Sequence, residues 1–126
     1  MKKILFLVCL CSLAVPTLAD IAPLYEMRTY TTNEGKLDNL HSRFSDHTMT
    51  IFEKHGMTNI GYWIPTDKPN TLVYIIAHKD ADSAQANWKA FVSDPEWQKV
   101  YAASIADGVL VNNIESVFMT KAPYSP

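Results

Sequence analysis

The sequence predicts an α+β fold in which the elements follow the order βαββαβ and the sheet is antiparallel. Segments rich in β-branched and aromatic residues alternate with segments whose apolar residues recur at helical spacing. The two central β segments are separated by only a short turn cluster, as in a hairpin. Both faces of this hairpin are apolar, which indicates that both faces of the sheet are covered.

The first part of the fold contains one strand and one long helix. Residues Tyr25 to Thr31 have the composition of a strand. The segment from Glu34 to His55 is predicted to form a single amphipathic helix with an N-cap at Thr32 or Asn33, and Gly56 ends it. At about 100° per residue, one stripe of this helix collects Leu37, Leu40, Phe44, Thr48, Ile51 and His55.

The hairpin consists of two strands, Asn59 to Ile64 and Thr71 to His78, around the turn at residues 66–70. Because helices can cover only one of its two apolar faces, we expect a homodimer in which two sheets pack face to face. The alternative is a monomer with an exposed apolar sheet, which is rare among soluble proteins.

Two helices and a last strand complete the fold. Asp80 begins the first helix, and Asp94 is predicted to cap the second, with Pro95 as its first residue. The last strand runs from Asn113 to Thr120. This order of elements is the ferredoxin-like arrangement.

Residues 1–19 are predicted to be a signal peptide, and residues 20–126 the single domain. Lys2 and Lys3 precede an apolar run from Ile4 to Val15, and Thr17 and Ala19 supply the small residues of a cleavage site. The alternatives are an uncleaved anchor and a buried strand. The apolar run is shorter than the ~20 residues that span a bilayer, so no stable membrane insertion is expected. We therefore predict a secreted or periplasmic protein that is cleaved after Ala19.

Cleavage would change the composition of the chain. It would remove both cysteines, Cys9 and Cys11, which excludes disulfides, thiolate nucleophiles and cysteine-bound metals. It would leave 9 basic residues against 13 acidic ones, a formal charge of −4. Nucleic acids and anionic membranes are therefore not expected as partners, because both are bound through clustered Lys and Arg.

The sequence resembles the NIPSNAP family over nearly the whole of the predicted domain. The motifs that carry the resemblance are Tyr25-Glu26-Met27-Arg28-Thr29-Tyr30-Thr31, Gly35-Lys36-Leu37, Phe44 with Asp46-His47, Phe52-Glu53-Lys54-His55-Gly56, Gly61-Tyr62-Trp63, Asp94-Pro95-Glu96-Trp97 and Tyr124-Ser125-Pro126. The resemblance implies a dimeric α/β barrel built from ferredoxin-like subunits. Thr50 stands where the family often has a proline in the first helix, so a family-like kink is not expected there.

The resemblance does not imply one chemistry. The wider superfamily includes cofactor-free antibiotic monooxygenases, haem-degrading enzymes and stress-response proteins, and mitochondrial members of the NIPSNAP family are described as interaction proteins. The apolar N-terminus of this chain contains no Arg, unlike a mitochondrial presequence.

Arg28 is the most informative candidate site residue. It is predicted to lie mid-strand on one face with Glu26 and Tyr30. Either it forms an ion pair with a carboxylate across the sheet, or it is a cation at a pocket mouth that binds a carboxylate or phenolate. The ligand-pocket candidates are Tyr30, Trp63, Trp88 and Trp97, each of which could instead be a core residue.

No metal site and no cofactor are expected. No two histidines have the i, i+4 spacing of a helical zinc site, and phosphate-loop, nucleophile-elbow and dinucleotide motifs are absent from the sequence. His47, near the edge of the apolar stripe, is the other catalytic candidate. A capping or core-edge role is the alternative for each histidine, and His55 is expected to favour the C-terminus of its helix.

Two functions remain open. The first is a small-ligand-binding or interaction dimer for an apolar or aromatic molecule, which the lack of a catalytic constellation favours. The second is a cofactor-independent monooxygenase or a haem-handling enzyme. In the second, His47 would act on an aromatic substrate, Arg28 would hold its anion, and Trp63 would pack on its face. A haem would take His47 or His55 as its axial ligand.

Overall fold

The computed structural model describes residues 22–126, so the predicted signal peptide and both cysteines lie outside the described residues. The elements are β1 (Leu24–Thr32), α1 (Leu37–Arg43), a π-helical turn (Phe44–Thr48), α2 (Met49–Lys54), β2 (Thr58–Trp63), β3 (Thr71–His78), α3 (Ala81–Ser93), α4 (Pro95–Ser104) and β4 (Val111–Met119). The strands form one antiparallel sheet in the order β2-β3-β1-β4. The predicted α+β class and ferredoxin-like order are confirmed.

The long first helix differs from the prediction. It begins at Leu37 rather than at Glu34, and the π turn separates α1 from α2. Thr48 Oγ1 donates a hydrogen bond to the carbonyl of Arg43, five residues earlier, at 3.1 Å. A π turn inserts one residue into the α-helical period. The prediction of one regular helix was therefore wrong, because the spacing of the apolar residues in the sequence does not reveal the inserted residue.

The ends of the helices are set by local chemistry. The predicted N-cap of the first helix was wrong: Lys36 occupies that position without a side-chain cap, and the Asn33 side chain binds the carbonyl of Val109 instead. Asp94 is an N-cap as predicted, and Asp80, which was predicted to begin its helix, is an N-cap as well. Their carboxylates accept hydrogen bonds from the backbone of Glu96 and Ser83, respectively.

The helices pack on one face of the sheet and enclose an aromatic core there. Tyr30, Phe44, Phe52, Tyr74 and Phe91 are buried in this core. In the register of the sheet, Glu26 pairs with Ile76 and Phe118, so the even-numbered residues of β1 point toward the helices. Two of the three cavities described in the following section lie between this layer and the sheet.

The other face of the sheet is partly open. Met27 pairs with Ile75 on one side and Val117 on the other, which forms an apolar row across three strands. Val117 is 49% exposed and Trp63, on the edge strand β2, is 50% exposed. We call this surface the open face.

No helix formed by residues 22–126 has the length and apolar character needed to cross a membrane.

Candidate functional site

A buried carboxylate lies at the centre of the helix-facing layer. Glu26 is 1% exposed and accepts four hydrogen bonds, of 2.7 to 2.9 Å, through its two oxygens. The donors are Arg28 Nη1, His78 Nε2, Trp88 Nε1 and Ser116 Oγ. Burial opposes ionisation, but these hydrogen bonds, that from His78 foremost, lower the pKa of Glu26 from 4.5 to about 2.

The hydrogen bonds of His78 assign its tautomer. An ionised carboxylate can only accept, so the Nε2 atom that faces Glu26 carries a hydrogen. The side-chain nitrogen of Asn87 lies 3.2 Å from Nδ1 and also donates to the carbonyl of Gly56. A neutral His78 with its hydrogen on Nε2 therefore satisfies every contact in this chain of hydrogen bonds.

Arg28 forms an ion pair, as in one of its two predicted roles, but with Glu26 on its own strand rather than with a carboxylate across the sheet. Its Nη1 atom lies 2.7 Å from Glu26, and the guanidinium carbon lies 4.4 Å from the ring centre of Trp88. Its Nη2 atom contacts the Tyr30 hydroxyl at 3.4 Å. Arg28 and its neighbours thus form an internal polar cluster whose charges are already balanced.

Arg43, the second arginine of the chain, was not singled out from the sequence. It is 7% exposed and stacks on Trp97 and Tyr101, at 5.3 and 5.6 Å from their ring centres. Its Nη1 donates to Ser104 Oγ at 3.1 Å. On the ideal helical wheel Arg43 lies outside the apolar stripe. Only the aromatic pair on α4, four residues apart, could have indicated its burial.

Two cavities lie between the helices and the sheet. The larger is a cleft of about 360 Å³ at the β2 side, and the residues around it are mostly apolar: His41, Ser42, Phe44, Ser45, Met49, Tyr62, Ile64 and Leu72. Burial raises the pKa of Tyr62, whose hydroxyl donates to Asn59 Oδ1 at 2.6 Å, so this wall of the cleft is neutral. We call this cavity the β2 cleft.

The smaller cavity, of about 160 Å³, lies at the β4 side and is more enclosed. It brings together two predicted ligand-pocket residues, Tyr30 and Trp97, with Arg43. Its remaining residues are Tyr101, Ile105, Val109, Leu110, Val111 and Ile114. We call it the Arg43 cavity.

Three buried nitrogens lack a hydrogen-bond partner among residues 22–126, namely Arg28 Nε, His41 Nε2 and Arg43 Nε. Two of these residues line cavities: His41 lines the β2 cleft and Arg43 lines the Arg43 cavity. Buried polar atoms are normally paired, and these two are themselves closed off from solvent, so each is an unsatisfied group behind the wall of its cavity.

His47 does not join Arg28. It is exposed and lines an open groove of about 740 Å³ on the other side of Arg43, together with Asp46, Glu96 and Lys99. None of the three cavities described for residues 22–126 is lined by both His47 and Arg28. These cavities therefore do not bring His47 and Arg28 together around one ligand, and a joint role for the two stays a prediction.

Trp63 lies apart from the other candidate residues. It pairs with Val73 on the open face, whereas Trp88 and Trp97 lie in the helix layer. Trp63 lines none of the three cavities described for residues 22–126. The alternation along β2 separates Trp63 from Tyr62, but both sets are apolar, so the sequence does not indicate which set meets the helices.

His55 is the C-cap residue of α2, and its side chain links this helix to α4. Its Nε2 atom lies 2.7 Å from Asp94, the residue that caps α4, and Lys54 lies 2.8 Å from the same oxygen. These contacts lower the pKa of Asp94, with the Lys54 contact as the largest cause. Within the described part of the chain, no group of three or more His, Cys, Asp or Glu could hold a metal ion.

Comparisons with known proteins agree on one family. The NIPSNAP family model matches residues 25–126. A NIPSNAP family protein of unknown function from Agrobacterium tumefaciens is 26% identical, with a TM-score of 0.73 over 84% of this chain and 94% of that one. An uncharacterized NIPSNAP domain protein from Burkholderia xenovorans is also 26% identical, with a TM-score of 0.70 over 82% and 98%.

A more distant structure shares the fold alone. A putative antibiotic biosynthesis monooxygenase from Nitrosomonas europaea is 11% identical, with a TM-score of 0.60 over 83% of this chain and 95% of that one. No curated protein matches this chain.

Proposed function

Since this chain belongs to the NIPSNAP family, we propose that it is a secreted or periplasmic homodimer that binds an apolar or aromatic small molecule without turning it over. The proposal rests on three features: the predicted signal peptide for secretion, the open face for the homodimer, and the β2 cleft for ligand binding. The β2 cleft is the main observation behind it.

The β2 cleft has the properties of a small-molecule site. Its volume of about 360 Å³ falls within the ~300–1,000 Å³ that ligand pockets usually have. Phe44, Met49 and Leu72 supply an apolar wall, and the imidazole of His41 adds a polar side chain to the lining. Apolar walls with a few placed polar groups are typical of such pockets.

The internal polar cluster argues against turnover. Arg28 is paired with Glu26, and both oxygens of Glu26 are already occupied by donors. A general base must reach its substrate proton with a free acceptor. The monooxygenase and haem-handling alternatives gain no support from this geometry, because the distant monooxygenase shares the fold alone.

The open face supports a homodimer. The row of Met27, Ile75 and Val117 crosses three strands, and Val117 is half exposed in the isolated chain. A second copy would bring an identical row against it about a two-fold axis, the commonest arrangement in homo-oligomers. Sheets that pack face to face lie ~10 Å apart, which suits side chains of this size.

The first experiment is native mass spectrometry of the protein purified from its own cell envelope. The proposal predicts a chain that begins near Asp20, a dimer mass, and a retained small-molecule adduct. A monomer without an adduct, in protein that is folded by circular dichroism, would contradict the dimer and the ligand together.

A second experiment places the ligand. N-phenyl-1-naphthylamine, a neutral apolar dye, should bind with increased fluorescence, and Ser45→Trp should weaken this binding at least about tenfold by filling the β2 cleft. Thr50→Trp is the matched control, because Thr50 is exposed nearby and does not line the cleft. Equal dye binding by both variants would exclude the cleft as the site.

The polar contribution of His41 to binding can be measured separately from the apolar contribution of the other residues that line the β2 cleft. The variant His41→Phe removes the unpaired nitrogen and keeps an aromatic ring. It should weaken the binding of 2-naphthol, which has a hydroxyl, but not of naphthalene. Equal losses for the two probes would mean that His41 contributes only shape.

A further inference from the structure

Arg43 is a buried cation that has no carboxylate of residues 22–126 within 4.0 Å, although Asp46, Glu96 and Asp107 line the same groove. The salt bridges described for these residues do not include it, and its hydrogen bond to Ser104 reaches a neutral hydroxyl. That hydroxyl donates to the carbonyl of Tyr101, so it can accept from Arg43 without supplying charge. Burial lowers the pKa of Arg43. An unpaired buried charge is costly, and an anion that reached it would be strongly favoured.

The two arginines of the chain differ in this respect. Arg28 has Glu26 at 2.7 Å, whereas Arg43 has only aromatic rings and one hydroxyl. Stacking on Trp97 and Tyr101 holds the guanidinium in place without occupying its Nε hydrogen. Arg43 is therefore preorganised to bind an anion that the described residues do not provide.

The volume and the lining of the Arg43 cavity limit the size and shape of an anion that could bind there. Its volume of about 160 Å³ is close to the ~150 Å³ of an engineered protein cavity that binds benzene. Trp97, Tyr101 and Leu110 supply aromatic and aliphatic walls, and Arg43 is the one charged residue among the residues that line it. This combination suits a molecule with an apolar body of about one ring and a single negative charge.

We propose that the Arg43 cavity binds a small monocarboxylate whose carboxylate pairs with Arg43 and whose apolar body packs against Trp97 and Tyr101. This site is separate from the β2 cleft, and the proposal does not depend on the function proposed for the cleft. A guanidinium binds a carboxylate through charge-assisted hydrogen bonds from its terminal nitrogens, and the side-chain hydrogen bond of Arg43 to Ser104 uses only Nη1.

The surrounding charges favour a carboxylate over a phosphate. The groove on the other side of Arg43 carries Asp46, Glu96 and Asp107 against Lys99, so it repels multiply charged anions. A phosphate also needs several donors, and Arg43 is the one cationic donor in the cavity lining. A monocarboxylate loses less hydration than a phosphate does when it enters the cavity, and its apolar body can also pack against the apolar walls.

The test is calorimetric titration of the mature dimer or monomer, as isolated, with benzoate, benzamide and inorganic phosphate. Benzoate should bind at least about tenfold more tightly than benzamide, its neutral isostere, because the charged hydrogen bonds are lost in the amide. Phosphate should not compete with benzoate. Equal affinity for benzoate and benzamide, or competition by phosphate at matched concentration, would overturn the proposal.

Two variants locate the site. Arg43→Met should abolish benzoate binding. Ile114→Trp should reduce it at least about tenfold by filling the cavity while Arg43 is kept. Ile60→Trp is the matched control, since Ile60 and Ile114 are both 48% exposed and Ile60 does not line the cavity. If Arg43→Met does not fold, Ile114→Trp decides, and benzoate binding that survives it would overturn the proposal.

Discussion

The Nε2 atom of His78 lies 2.9 Å from a carboxylate oxygen of Glu26, and the side chains of both residues are almost wholly buried. Trp88, Arg28 and Ser116 donate to the same carboxylate. The sheet and α3 are therefore joined through one ionised group in the interior. Because the group must be ionised to make these contacts, the stability of the fold should depend on pH.

Acid should destabilise the protein through Glu26. Its pKa falls from 4.5 to about 2 on folding, so the carboxylate stabilises the fold fully above pH 4.5 and loses this contribution as the pH falls toward 2. Glu26→Gln should lower the free energy of unfolding at neutral pH by about 3 kcal/mol and flatten its pH dependence below 4.5. Urea unfolding followed by circular dichroism measures both. Glu34→Gln, at an exposed position, is the control, and equal pH profiles for the two variants would contradict the assignment.

Trp88 should stabilise the fold through the hydrogen bond of its indole nitrogen as well as through the packing of its ring. Trp88→Phe keeps an aromatic ring beside Phe52 and Phe91 but removes the 2.7 Å hydrogen bond to Glu26. We expect a loss of about 2 kcal/mol, and a smaller loss when Glu26 is already Gln. A double-mutant cycle by urea unfolding tests this coupling. Additive losses would show that the ring alone accounts for the effect.

The open face should control the oligomeric state. Val117→Lys places a charge in the apolar row and should convert the proposed dimer into a folded monomer at micromolar concentration. Val92→Lys is the control, because Val92 is 58% exposed but lies on α3. Light scattering coupled to size-exclusion chromatography gives the masses. A Val117→Lys protein that stays dimeric would place the interface elsewhere.

The π turn should depend on the hydroxyl of Thr48. Thr48 is buried, and Thr48→Val keeps the side-chain shape while it removes the hydrogen bond to the carbonyl of Arg43. The expected loss in the free energy of unfolding is about 1 kcal/mol. Thr50→Val, two residues away at an exposed position, should change the free energy of unfolding by less than about half of that amount. Similar effects of the two substitutions would mean that the turn does not need the hydroxyl.

The fold was predictable because its signals are local. Asp80 and Asp94 cap their helices through residues two or three positions away, and Gly56 ends α2 with a φ of +77° that glycine adopts freely. The π turn was not predictable in this way. Leu40 and Ile51, which a regular helix places on its apolar stripe, are also buried on either side of the turn, so the spacing of apolar residues does not reveal the extra residue.

The candidate site was predictable only in part. Tyr30 and Arg28 share a face because alternation along one strand is a local rule. The environment of Arg43 depends on Trp97 and Tyr101, more than fifty positions later, and no local pattern links them. The side of the sheet occupied by Trp63 likewise depends on strand pairing and helix packing, whereas both acceptors of Arg28, Glu26 and Tyr30, lie two positions away on the same strand.

The three tryptophans lie in three different surroundings. Trp63 is half exposed on the open face, Trp88 stacks on Arg28 and donates to Glu26, and Trp97 lines the Arg43 cavity. Intrinsic fluorescence can therefore be resolved by single Trp→Phe replacements into three local signals. A soluble quencher such as acrylamide would report the accessibility of Trp63, while emission from Trp97 would respond to an occupant of the cavity. The unlabelled chain thus carries its own optical reporters for association and for ligand binding.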